Sequence, residues 1–86
     1  MAFPSSTDPV AYEARGRLLR VDTLNRELAL LVGDVVVELD VPPSCPVVLN
    51  GQAVRLRLLQ PQDRLRVTYE AGLGRGVARR IDVITF

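Results

Sequence analysis

Histidine, tryptophan and lysine are absent from this chain of 86 residues, cysteine and methionine occur once each, and the aromatics are only Phe3, Tyr12, Tyr69 and Phe86. Each absence excludes something. Histidine is the side chain most used for proton transfer near neutral pH and the commonest metal ligand, so without it an enzyme is not expected, nor a resident metal or other cofactor. A single cysteine, Cys45, cannot close an internal disulfide, so the fold must stand on packing alone and nothing demands an oxidising compartment. No apolar run reaches the roughly 18 residues of a membrane span. Met1 to Val10 lack the basic start and apolar stretch of an export signal. A soluble, cytoplasmic protein is expected, or an exported one if a leader has been trimmed.

What the chain does contain is aliphatic. Hydrophobic residues make up 48% and charged residues 24%, which fits an ordinary globular domain and excludes wholesale disorder. At this length there is room for one domain, whose core buries only roughly 60–65% of the surface the unfolded chain exposes. Every basic residue is arginine, a bias that a GC-rich genome produces as readily as function does.

Residues 1–9 mix serine, threonine, aspartate and proline and read as a flexible tail, with one domain over residues 10–86. From there, valine- and leucine-rich segments alternate with turn signals every eight to twelve residues, the spacing of a small all-β barrel. The first strand, Ala11 to Asp22, places Leu18 and Val21 on one face only if a bulge falls near Leu19 or Arg20, and Gly16 marks a bend or close backbone approach. Gly33-Asp34 reads as a two-residue hairpin turn. Counting outward pairs Val32 with Val35, Leu30 with Val37 and Leu28 with Leu39 toward the core. The other face carries Leu31 with Val36, Ala29 with Glu38 and Glu27 with Asp40. Asn50-Gly51 is a second hairpin turn, between Val47–Leu49 and Gln52–Val54, because both residues tolerate positive φ. A short helical turn and loop are placed at Gln60 to Asp63. Arg64 to Glu70 alternates, with Leu65, Val67 and Tyr69 inward, and a last strand from Val77 to Ile84 needs a bulge at Arg79-Arg80. The fold class is all-β: a small OB-like or SH3-like barrel of six to seven short strands.

The order Gly16-x-Leu18-x-x-Val21, Val47 to Gly51, Leu56-x-x-Leu59-x-x-x-Asp63-x-Leu65-x-Val67 and Ala78-x-x-Ile81-x-Val83 resembles the small OB-like β-barrel domains of unknown function common in bacterial proteins. The resemblance covers Ala14 to Val83. It implies a barrel and carries over no catalytic residue. One departure stands out: similar members carry glycine directly before the aspartate, where this chain has Gln62.

Charge is unevenly spread. Residues 1–50 hold four arginines and seven acids, residues 51–86 seven arginines and three acids. Arg55 with Arg57 and Arg64 with Arg66 each put two guanidinium groups on one strand face. Arg79, Arg80 and Arg75 are candidates to join them, giving a face for phosphates or an acidic partner. The scarcity of aromatics weakens a single-strand nucleic-acid reading, and arginines that merely solvate the outer surface are the plain alternative. Asp34, Glu38 and Asp40 are spread over roughly 20 Å of strand, too far apart for one cation. Gly72-x-Gly74-x-Gly76 joins strands instead of opening a helix, so no dinucleotide site is read there. Cys45, without a histidine to activate it, reads as a small packed hydrophobe. The expected role is a non-enzymatic protein-interaction or assembly module, with nucleic-acid binding by the arginine face as the alternative. Leu31 and Val36, together with the opposite charges of the two halves, suggest a homodimer.

Overall fold

The computed structural model describes residues 11–85, so the predicted tail over residues 1–9 lies outside the described residues. Among the described residues seven strands follow one another: β1 (Ala11–Asp22), β2 (Glu27–Val32), β3 (Val35–Asp40), β4 (Val47–Leu49), β5 (Gln52–Val54), β6 (Arg64–Ala71) and β7 (Gly76–Ile84), with a 3₁₀ turn at Leu56–Leu58. The order across the sheet is β3-β2-β1-β6-β7-β4-β5, and a further parallel pairing of β3 with β7 closes it. Five strands, β1-β2-β3-β7-β6, therefore form a ring. One edge of β7 is shared: Gly76 and Val77 pair with β3, and Ile81 to Val83 pair in parallel with β4. The β4–β5 hairpin thus hangs from the far half of β7. Closure removes most of the free edge that an open sheet of this size would expose. Among the described residues no helix is long and apolar enough to cross a membrane.

The local pattern explains the elements. β1 pairs with β2 through a register shift between Leu18 and Arg20, which leaves Leu19 unpaired and turns Leu18 and Val21 toward the same side. Leu18 is fully buried, and its free backbone edge is satisfied by the loop before β6: Leu18 N–H donates to Asp63 O and Gln62 N–H donates to Leu18 O, both at 2.8 Å. The β7 bulge falls where the alternation demands it, with Thr68 opposite Arg80 and Tyr69 opposite Ala78, so that Arg79 is the extra residue. Ala78 and Ile81 both reach the core as a result. Asn50 and Gly51 have φ of 53° and 81°, the two positive values a type I′ turn requires.

The β2–β3 register is the one read from the turn outward, but burial does not follow it simply. Leu28, Leu30 and Leu39 are buried, whereas Val35, assigned to the core side, is 62% exposed because the hairpin tip overhangs the barrel. Ala29, assigned to the outer side, is fully buried. Arg20 and Glu38 lie opposite it on the two neighbouring strands and meet at 3.3 Å, so their ion pair closes over its methyl group.

The helical turn falls earlier than expected, at Leu56–Leu58 instead of Gln60 to Asp63, because Leu56 and Leu59 both plug the core, at 5% and 4% exposure. Pro61 and Gln62 form an ordinary turn, held by Gln60 N–H donating to Asp63 Oδ2 at 2.9 Å. Gln62 adopts φ of 83°. It takes up the left-handed geometry for which glycine is suited, and an L side chain there costs about 1–2 kcal/mol. Gln62→Gly is therefore expected to raise stability by about 1 kcal/mol. Urea unfolding followed by circular dichroism would register it as a higher midpoint with unchanged slope.

The turn from β1 to β2 is built on Asp22, whose Oδ1 accepts from the N–H groups of Leu24 and Asn25 and whose Oδ2 accepts from the Asn25 amide. These bonds, the Asn25 backbone bond first, hold the carboxyl below its usual value of 3.8. Asp22 thus contributes stability that is present above that value and lost as pH falls through its lower folded one.

Candidate functional site

The arginines expected to form one face are divided by the fold. Arg64 and Arg66 lie on the outside of β6, directly opposite Arg17 and Arg15 of β1. Like charges in that position repel, and acids interleave with part of the group. Glu13 accepts from Arg15 at 3.0 Å and lies 4.0 Å from Arg66, while Asp82 lies 3.7 Å from Arg66 and 3.1 Å from Arg80. Arg79, on the bulge, pairs with Glu70. Arg75, which the sequence placed near the basic group, sits among acids instead, 3.2 Å from Glu27, 3.6 Å from Asp40 and 3.8 Å from Glu38. Glu13, Glu27, Glu38 and Asp40 of the acidic first half are thus met by arginines of the same chain. That removes the electrostatic support for a homodimer. Of its apolar support, Leu31 is half-buried beside Arg15, Arg17 and Arg64, and Val36 at the hairpin tip is 49% exposed.

Arg55 and Arg57 occupy neither β6 nor any other strand. Arg55 is extended backbone just before the 3₁₀ turn, with φ of −85° and ψ of 149°, and Arg57 lies within that turn. Leu56 between them points into the core, so both guanidinium groups are driven outward on the same side of the barrel. A groove of about 370 Å³ opens there. Its polar lining is Thr23, Arg26, Arg55 and Arg57; its apolar lining is Pro43, Cys45, Val47, Val54 and Leu56. No carboxylate lines it.

Arg26 completes the basic lining from the β1–β2 turn. Its φ of 53° turns the chain sharply, and its own carbonyl accepts from Val41 N–H at 2.8 Å. Its side chain folds back so that Nε donates to Val41 O at 2.8 Å and Nη2 to Pro42 O at 3.4 Å. The guanidinium is thereby fixed by backbone carbonyls, with its charge uncompensated. Among the described residues, Arg26, Arg55 and Arg57 have no carboxylate within ion-pair distance. No local signal in the sequence marks Arg26 or Thr23 for this site, because only the crossing of the β1–β2 turn over the proline-rich link brings them beside Arg55.

Cys45 lies in the same lining, 7% exposed, with Sγ 3.7 Å from Pro46 O. Burial pushes its thiol above the usual value of 9.0, against the opposing pull of the Arg26 and Arg79 charges. At neutral pH it is a protonated, packed thiol, as the sequence led one to expect.

Solved structures of CusF from Escherichia coli share this fold. The apo form of residues 6–88 superposes with a TM-score of 0.73 at 11% identity, covering 99% of this chain and all of that one. A CusF structure with Ag(I) gives 0.72 at 9% identity over 92% of this chain and 98% of the other, and a second one with Ag(I) gives 0.70 at 10% identity over 88% and 100%. No family model matches the chain, and no curated protein matches its sequence. The small OB-like barrel implied by the sequence resemblance is thus the fold observed, and two of these solved counterparts hold a metal ion, Ag(I).

That finding overturns the expected role. An assembly module, or a nucleic-acid binder working through one arginine face, is not what these counterparts are. The face itself is dispersed over β6, the β7 bulge and the segment before β6, with Arg66, Arg79 and Arg80 tied to acids. The cytoplasmic placement likewise has no support from the similar structures.

The metal of those structures does not fit this chain. Soft monovalent ions such as Ag(I) take thiolate, thioether or imidazole donors. This sequence offers one cysteine, one methionine at position 1 and no histidine. The cysteine shares its groove with three cationic side chains, which oppose the approach of a cation.

Proposed function

We propose that this chain is a non-enzymatic, ion-binding barrel whose ion is an anion, taken in the groove lined by Arg26, Arg55 and Arg57. One observation carries the reading: among the described residues, three guanidinium groups without a carboxylate partner converge on one groove that no acid lines. Elsewhere on this barrel, Arg15, Arg20, Arg66, Arg75, Arg79 and Arg80 each meet a carboxylate. Three uncompensated charges within one concavity focus a positive potential, and guanidinium forks match the oxygens of phosphate and carboxylate in two-point contacts. The reading is non-enzymatic because the groove lining has no general base to activate the Thr23 hydroxyl or the Cys45 thiol, and burial raises the thiol above its ordinary value.

The test is a titration with pyrophosphate at low ionic strength, followed by calorimetry. Saturable binding that weakens at least ten-fold in the Arg55→Ala/Arg57→Ala double variant is the expected result. Arg80→Ala, which removes a charge paired with Asp82 outside the groove, should leave the affinity within about two-fold. Equal losses in both variants would reduce the effect to net charge.

A further inference from the structure

The groove is half apolar, and this determines which anions suit it. Resting on the anion-binding reading above, we infer that the ligand is a small organic anion, an apolar body carrying one phosphate or carboxylate group, and not a free inorganic ion. Val54 at the end of β5 is half-buried and backed by its buried cross-strand partner Val47, so its open side forms an aliphatic step beside the arginines. Pro43 extends the apolar surface on the side where Arg26 is anchored. Arg26 spends its Nε hydrogen and one Nη2 hydrogen on the carbonyls of Val41 and Pro42, which leaves three of its five N–H donors, two of them on Nη1. Arg55 and Arg57 have both ends of their forks free among the described residues. The charged head of a ligand therefore belongs at Arg55 and Arg57, with Arg26 closing behind it.

A fully hydrated inorganic ion gains nothing from the aliphatic step and leaves it wet. An organic anion covers it while its head keeps the same guanidinium contacts, and apolar burial adds to the binding in proportion to the area covered. The groove's volume of about 370 Å³ lies at the small end of the roughly 300–1,000 Å³ typical of small-molecule sites. A single ring or a short chain fits that space; a polymer does not use it.

Phenyl phosphate, benzoate, inorganic phosphate and acetate, titrated separately into the whole chain, test the inference. Phenyl phosphate should bind at least ten-fold more tightly than inorganic phosphate, and benzoate more tightly than acetate by a similar factor. Whichever of the two ring compounds binds better assigns the head group. Val54→Ser, at a half-buried position, should cut the phenyl-over-inorganic preference at least three-fold. Inorganic phosphate and phenyl phosphate binding equally would overturn the organic-ligand inference and leave the anion reading standing. Failure of all four anions, together with failure of pyrophosphate, would remove the anion reading itself. If Val54→Ser unfolds the chain, amide chemical-shift changes on adding phenyl phosphate take its place: shifts at Val47, Val54 and Arg57 support the inference, and shifts confined to β1 and β6 overturn it.

Discussion

Leu65→Ala is expected to destabilise the barrel by about 2–5 kcal/mol. Leu65 is fully buried on the inner face of β6, where β6 pairs with both β1 and β7, so no neighbouring strand can move in without breaking two ladders. The loss combines the transfer of the missing methyl and methylene groups with the cavity they leave behind. A domain of this length has a total stability of roughly 4–13 kcal/mol, so the variant should show a strongly lowered urea midpoint or be partly unfolded at room temperature. Arg66→Ala, one residue along on the outer face, serves as the contrast. Its two ion pairs, at 4.0 and 3.7 Å, are half-exposed, and such pairs contribute about 0–1 kcal/mol. A larger loss at Arg66 than at Leu65 would show that the two faces of β6 had been exchanged.

Gly16→Ala is expected to cost at least about 3 kcal/mol, the upper part of the range for forced overpacking. A methyl group placed on Gly16 would overlap the carbonyl oxygen of Leu31 and lie 3.1 Å from Val32 Cγ2. The first obstacle is backbone, which cannot rotate away as a side chain does. The end of β2 would have to lift from β1, opening the ladder at the Arg17–Leu31 pair. Amide hydrogen exchange separates this outcome from simple unfolding: faster exchange at Leu31 and Val32 with protection retained at Val67 and Ile81 is expected. Unchanged exchange and an unchanged midpoint would mean that the close approach is not maintained in solution.

Gly16 also shows how much of the site and fold could be read in advance. A glycine inside a strand announced a close approach, and the approach is real, but nothing in the sequence named Leu31 as the backbone that arrives. The two bulges were legible for a related reason: Leu18 with Val21, and Ala78 with Ile81, can share a face only if one residue is skipped. For the candidate site, Arg55 and Arg57 were visible as a pair around a leucine, yet they were grouped with Arg64 and Arg66 on the assumption that both segments are strands. The 3₁₀ turn separates them. Arg26 was not singled out at all, because its part depends on backbone carbonyls fifteen and sixteen residues away.

What the sequence by itself determined is what nearest neighbours decide. Hairpin turns depend on residues that tolerate positive φ, Gly33 alone in one hairpin and Asn50 with Gly51 in the other; strand faces depend on an alternation with period two; both turns, with the register they impose, follow from those rules. The tertiary structure alone decided which distant edges meet. The parallel contacts of β7 with β3 and then β4 join segments that share no turn, so no short-range rule selects them. With that closure came the allocation of charge: Arg75 is carried onto Glu27, Glu38 and Asp40, while Arg26, Arg55 and Arg57 are gathered where no acid follows. Coulombic pairing is set by distance in space, and distance in space between residues thirty or more apart is fixed only once the barrel has closed.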